Sequence, residues 1–151
     1  MTRLNTKQEK MRVNRFVLDA NIWVSYFITH REEFLIQLIV KSEIAIFSCN
    51  ELIEELVRVL NYEHLKKYKV DVKLAVRTVQ QLTTYFTITP PIKNYIPEDV
   101  NDNYVIALAL QSNSGYVTSG DSHILEAKTR LEKRYSKLRI ITKAEFEKMF
   151  A

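Results

Sequence analysis

Short apolar runs alternate with longer stretches of helical spacing along this chain, and that alternation narrows its possible folds more than any other feature. Arg15 to Leu18, Ile44 to Phe47, Phe86 to Thr89, Tyr116 to Ser119 and Leu138 to Ile141 read as strands. Between them lie Asn21 to Ile28, Glu33 to Lys41, a segment ending near Leu60, Val72 to about Thr84, Asn103 to Gln111 and Ser122 to about Tyr135. These carry apolar residues at helical spacing, as Phe34, Leu35, Leu38 and Ile39 do in the second. Pro90-Pro91 stops the third strand. Ser48 with Glu51, and Thr142 with Glu145, have the capping-box spacing of helix starts. Parallel strands need a crossover long enough to hold a helix. The expected fold is therefore α/β, with three layers: a central, largely parallel sheet flanked by helices.

The chain has 151 residues, enough for one domain around one core. Met1 to Asn14 has no clear period and reads as a disordered tail, so the domain is expected over residues 15–151. No apolar run approaches the roughly 20 residues of a membrane span, and the N-terminus lacks the apolar core of a signal peptide. Cys49 is the only cysteine, which rules out an intrachain disulfide and suits a reducing cytoplasm. The two glycines, Gly115 and Gly120, are too few for a P-loop or a dinucleotide fingerprint. HExxH and paired CxxC patterns are absent, and no serine sits in a GxSxG turn. The net charge of +4 tolerates a polyanionic partner without identifying one. His64 to Lys69 and Lys128 to Arg139 are locally basic, either as solvated helix faces or as a rim that leads nucleic acid inward.

Carboxylates stand where such a fold would place a reaction. Sites in parallel α/β sheets form beyond the carboxyl ends of the strands, and Asp19 and Asp121 both follow strands. Each could equally cap the next helix. On a helical wheel Asp102 falls among Val105, Ile106 and Ala109, in the middle of an apolar face. The helix dipole favours an early Asp but does not require it to face the core. An unpartnered carboxylate there is costly, and a metal would resolve the cost. Glu55 borders the stripe of Leu52, Leu56 and Val59, while Glu54 and Arg58 have the spacing of a solvent-side pair. Asp99 reads as a turn residue or an outer acid, Asn21 as a helix opener or a partner of Asp19, and Ser119 as a strand end or a polar helper. His30, His64 and His123 lack ligand spacing; His123 reads as an exposed helix residue, with a phosphate contact as its other reading. Gathered acids repel and raise one another's pKa. A hard divalent cation is the usual remedy, which points to Mg²⁺ or Mn²⁺ chemistry on phosphates.

Taken in order, Val17-Leu18-Asp19-Ala20-Asn21-Ile22, Ser48 to Leu60 around Glu55, Asp99-Val100-Asn101-Asp102-Asn103-Tyr104 with Ala107-Leu108-Ala109, and Val117 to Leu125 resemble the PIN-domain ribonucleases. The resemblance is closest to their toxin branch in toxin–antitoxin systems, related to VapC-like toxins. It spans about Arg15 to Thr142. Ala20 and Ser119 stand where Thr is common in the family, and Val100 where the related branch often has Pro. The resemblance implies the PIN-like α/β/α fold and an acidic quartet of Asp19, Glu55, Asp102 and Asp121, with Asn21, Asp99 and Ser119 around it. It further implies Mg²⁺- or Mn²⁺-assisted hydrolysis of RNA to 5′-phosphate and 3′-hydroxyl ends, a blocking antitoxin partner and a homodimer. A PIN-like RNA-binding module without turnover is the alternative. A phosphoacceptor domain would want paired acids after the first strand, where this chain has Asp19-Ala20-Asn21.

Overall fold

β1 (Arg15–Leu18), β2 (Ala45–Ser48), β3 (Thr83–Tyr85), β4 (Tyr116–Thr118) and β5 (Arg139–Ile141) form one all-parallel sheet in the order β3-β2-β1-β4-β5. The structure is a computed structural model and describes residues 14–151. The tail expected over Met1 to Asn14 thus lies, apart from Asn14, outside the described residues. α1 (Ala20–Ile28) and α2 (Glu32–Ser42) join β1 to β2. α3 (Asn50–Leu60), a 3₁₀ segment at Glu63–Tyr68 and α4 (Val72–Leu82) join β2 to β3. A 3₁₀ turn at Val100–Asp102 and α5 (Asn103–Gln111) lead into β4. α6 (Ser122–Glu126) and α7 (Lys128–Arg134) lead into β5, and α8 (Lys143–Met149) follows it.

The central strand is apolar on both faces because both faces are covered. Phe16, Val17 and Leu18 are fully buried. Phe16 stacks on Tyr116 at 4.9 Å between ring centroids and meets Phe146 of α8 edge-on at 5.4 Å. α5 is apolar nearly all round, and Tyr104 through Ala109 are all buried. Helices therefore flank the sheet as the sequence leads one to expect.

The differences are local. The third strand forms at Thr83–Tyr85, not over Phe86 to Thr89, and α4 stops at Leu82. The Thr83 hydroxyl accounts for this. It bonds the Val79 carbonyl and the Ser48 hydroxyl, both at 2.7 Å, and so fixes the end of α4 beside β2. Phe86 donates one more bond to the Ser48 carbonyl before the chain leaves the sheet. Thr89 is then held by the Gln111 side chain at the end of α5. Because Ser48 ends β2, the expected capping box with Glu51 does not form: Cys49 occupies the cap without a side-chain bond. The Thr142–Glu145 box is complete. The helix expected from Ser122 to Tyr135 is divided at Ala127. Glu54 accepts from Asn50, and Arg58 turns to Glu55 at 3.9 Å in place of Glu54.

The strand order creates one special position. After β1 the chain proceeds toward β2 and β3; it then crosses back through α5 and inserts β4 on the other side of β1. The connections that leave β1 and β4 therefore run in opposite directions. Their carboxyl ends border a crevice, which is the switch point of a doubly wound sheet.

Candidate metal centre

Asp19 follows β1, and Ser119 and Asp121 follow β4, so the ladder sets them side by side. The Asp19 amide donates to the Thr118 carbonyl at 2.9 Å, and the Ser119 amide donates to the Ile141 carbonyl at 3.0 Å. Ser119 Oγ then donates to Asp19 Oδ2 at 2.8 Å and accepts from the Asp121 amide at 3.0 Å. Asp19 does not cap α1 through its side chain. Its Oδ1 is buried without a hydrogen-bond partner among the described residues. Asp121 does cap: its Oδ1 accepts from the amides of His123 and Ile124. One carboxylate oxygen is thereby committed to the start of α6.

Asp102 comes from the opposite direction, at the end of the 3₁₀ turn that opens α5. It caps nothing through its side chain, is 6% exposed, and buries an Oδ2 that has no hydrogen-bond partner among the described residues. Asp99 serves the same turn, since its Oδ1 accepts from the Asn101 amide at 3.2 Å. Its Oδ2 lies 3.5 Å from His123 Nδ1, which is in turn 3.9 Å from Asp121 Oδ1. Asp99, Asp102, Asp121 and His123 each present one donor atom within 4.8 Å of the others.

Burial and like charge mark the site. Burial foremost, then the charge of Asp121 and a hydrogen bond with its carboxyl, then the charges of Asp19 and Asp99, push the Asp102 carboxyl up to about 8. Burial likewise pushes Asp19 up to about 6, against the bond from Ser119 and with added repulsion from Glu55 and Asp121. Among the described residues no lysine or arginine pairs with Asp19, Asp102 or Asp121. The unpartnered oxygens of Asp19 and Asp102 are the kind of buried polar atom that a bound cation satisfies. The donor set thus fits a divalent ion.

Glu55, on α3, lies outside that group of four donors, although its charge acts on Asp19. Tyr104 donates its hydroxyl to Glu55 Oε2 in a close contact, and Arg58 approaches the other oxygen. Burial, then the Glu55 charge, raises the Tyr104 pKa and keeps that hydroxyl protonated. Both residues line a cleft of about 350 Å³ between α3 and the loop that carries Val100 and Asn101. Asn21 is exposed on α1 and makes no side-chain hydrogen bond among the described residues, so it does not support Asp19 in this structure. Ser119 is the helper that bonds Asp19.

The fold gives two further residues a place beside the acids. Sequence reads His123 as an exposed helix residue; the turn at Asp99 brings an acid against its ring. Tyr104 had a legible signal, because a tyrosine on a fully buried helix needs a partner for its hydroxyl. No curated protein and no solved structure gives a significant match to the chain. The sequence model of the PIN domain, in contrast, matches residues 15–123, from the first strand through the start of α6. That span holds Asp19, Glu55, Asp102, Asp121 and the crevice they border, and the chain belongs to the PIN-domain family.

Proposed function

We propose that this protein is a metal-dependent endoribonuclease, and that it is the toxin of a toxin–antitoxin pair. PIN domains are generally metal-dependent nucleases. The observation that carries the reading is the pair of buried, unpartnered carboxylate oxygens on Asp19 and Asp102 at the switch point. Asp102 and Asp121 would hold the ion, with Asp19 and Glu55 as the remaining acids of the quartet beside it. A divalent cation bound there supplies Lewis acidity to the phosphate and lowers the pKa of water. Ser119 fixes the rotamer of Asp19, and Tyr104 fixes that of Glu55. Without a cation these acids repel a phosphodiester; with one they orient it. Either Mg²⁺ or Mn²⁺ meets the requirement for oxygen ligands.

A binding module without turnover has no use for a buried acidic centre, since a polyanion is held by cations. The toxin role, a blocking antitoxin and a homodimer rest on the family resemblance. The cytoplasm is the proposed location. Burial pushes the sole thiol, Cys49, up to about 12, which makes it inert and compatible with a reducing compartment. Among the described residues no helix is long and apolar enough to cross a membrane.

End-labelled RNA tests the chemistry. With Mn²⁺ the products should carry 5′-phosphate and 3′-hydroxyl ends, and EDTA should stop the reaction. A 2′,3′-cyclic phosphate formed in EDTA would mean that side chains cut the RNA without metal. For the toxin role, induced expression should arrest growth and Asp102→Asn should abolish the arrest; equal arrest by both proteins would remove that role.

A further inference from the structure

We propose that His123 is a ligand of the bound ion, so that the centre combines an imidazole nitrogen with the carboxylates of Asp99, Asp102 and Asp121. The inference rests on the reading of this crevice as a divalent-metal centre, and it names a donor and a metal preference that an all-carboxylate quartet does not contain. Three observations carry it. First, the Nδ1 side of the ring faces the acids, 3.5 Å from Asp99 Oδ2 and 3.9 Å from Asp121 Oδ1. Second, the four donor atoms lie within 4.8 Å of one another. An ion bonded at about 2.1 Å holds opposite ligands about 4.2 Å apart. Adjacent ligands lie about 3 Å apart, so side-chain rotations that close the set by up to about 1 Å are needed. Third, Asp102 is more than nine-tenths buried, supplies one of those donors, and has an oxygen without a partner.

The local backbone hydrogen-bonds only one oxygen of Asp99 and one of Asp121, so Oδ2 of each has no backbone partner among the described residues. Asp99 uses Oδ1 for the Asn101 amide and keeps Oδ2 toward the ring. Asp121 uses Oδ1 to cap α6, and the same cap fixes the His123 backbone. The His123 side chain is 40% exposed, so it can turn through a small angle without repacking the core.

A competing role for the ring is a simple ion pair, in which a protonated His123 offsets Asp99. A protonated imidazole cannot bind metal, so the two roles exclude each other once an ion is present. Nitrogen ligation also has a consequence for selectivity. Mg²⁺ binds oxygen and gains little from imidazole, whereas transition-series ions accept it well. The centre should prefer Mn²⁺ or Co²⁺ to Mg²⁺.

Electron spin-echo modulation of the Mn²⁺-loaded, tag-free protein reads the ligand directly. We expect ¹⁴N coupling from a directly bound imidazole. Selective ¹⁵N-histidine labelling should convert it to a ¹⁵N pattern, a check that needs no variant. In His123→Gln the coupling should vanish, and calorimetry should show Mn²⁺ affinity falling about 10- to 100-fold. Mg²⁺ affinity should change by less than about threefold. Bound Mn²⁺ without nitrogen coupling, or coupling that persists in His123→Gln, would overturn the proposal and leave the metal centre standing. No binding of either ion at millimolar concentration would overturn both.

Discussion

At Asp102, burial and three neighbouring acids act on one carboxyl. The consequence for stability has a definite sign. In the unfolded chain Asp102 and Asp19 release their protons near 3.8, while in the folded protein they hold them to about 8 and about 6. Between those values the native state binds more protons than the unfolded state, so stability falls as pH rises. The metal-free protein should therefore melt at progressively lower temperature from about pH 4 to about pH 8. Asp102→Asn should flatten that decline and raise the melting temperature at pH 8, while abolishing RNA cleavage. Parallel melting curves for the two proteins would contradict the crowding described here. The same residue was legible in sequence, because a carboxylate amid Val105, Ile106 and Ala109 has no cheap explanation. Glu55 was less so; its distinction from Glu54 depends on Tyr104, which approaches across two helices. Glu55→Gln should lower cleavage about 100-fold or more, within the range for removing a charge-stabilising or proton-handling group. Glu54→Gln should retain it, and equal losses in a single-turnover assay would sink the assignment. His123 stayed hidden because its partner, Asp99, arrives through a turn that spacing does not encode.

Among the elements, β5 shows how a three-residue strand survives at the edge of a sheet. Lys128 Nζ donates to the Ile140 carbonyl at 2.9 Å, and Glu132 Oε2 accepts from the Ile140 amide at 2.9 Å. The two side chains also pair at 3.3 Å. One turn of α7 thus satisfies both groups that Ile140 would present to another strand, and protects an edge that would otherwise invite pairing. The division of the helix at Ala127 belongs to this arrangement, since it sets Lys128 and Glu132 against the strand. Sequence marks Lys128 to Arg139 as basic and its two ends as helix and strand, and the clasp between its charges is a product of the fold. Glu132→Ala should destabilise the protein by about 1–2 kcal/mol, the cost of an unpaired buried amide. It should also increase association between molecules. Urea unfolding and light scattering measure the two effects, and a variant unchanged in both would show that the clasp is idle. β3 is the counterexample for legibility. Phe86 to Thr89 has the better alternation, yet the Thr83 hydroxyl, held by Ser48 and Val79, decides where the strand forms. Propensity yields to a specific tertiary bond there.

For the molecule as a whole, the order β3-β2-β1-β4-β5 is what gathers the acids. Asp19 and Asp121 are about a hundred residues apart in the chain, and parallel pairing of β1 with β4 makes them neighbours. Alternating strands and helices announce a parallel sheet, and the apolar run at Phe16 to Leu18 announces its centre. The position of the switch point does not follow from alternation, and with it goes the composition of the site. That is why strand ends and helix faces mark Asp19, Asp102 and Asp121 only as candidates, while the exposure of Asn21 and the facing of His123 toward the acids are visible only in the fold. The most direct test of the metal centre is an anomalous difference map from crystals grown or soaked with millimolar Mn²⁺. We expect a peak within bonding distance of the Asp102 and Asp121 carboxylates, in the crevice between the ends of β1 and β4. Full-occupancy Mn²⁺ bound only elsewhere, or no peak in crystals whose crevice is open to solvent, would contradict it.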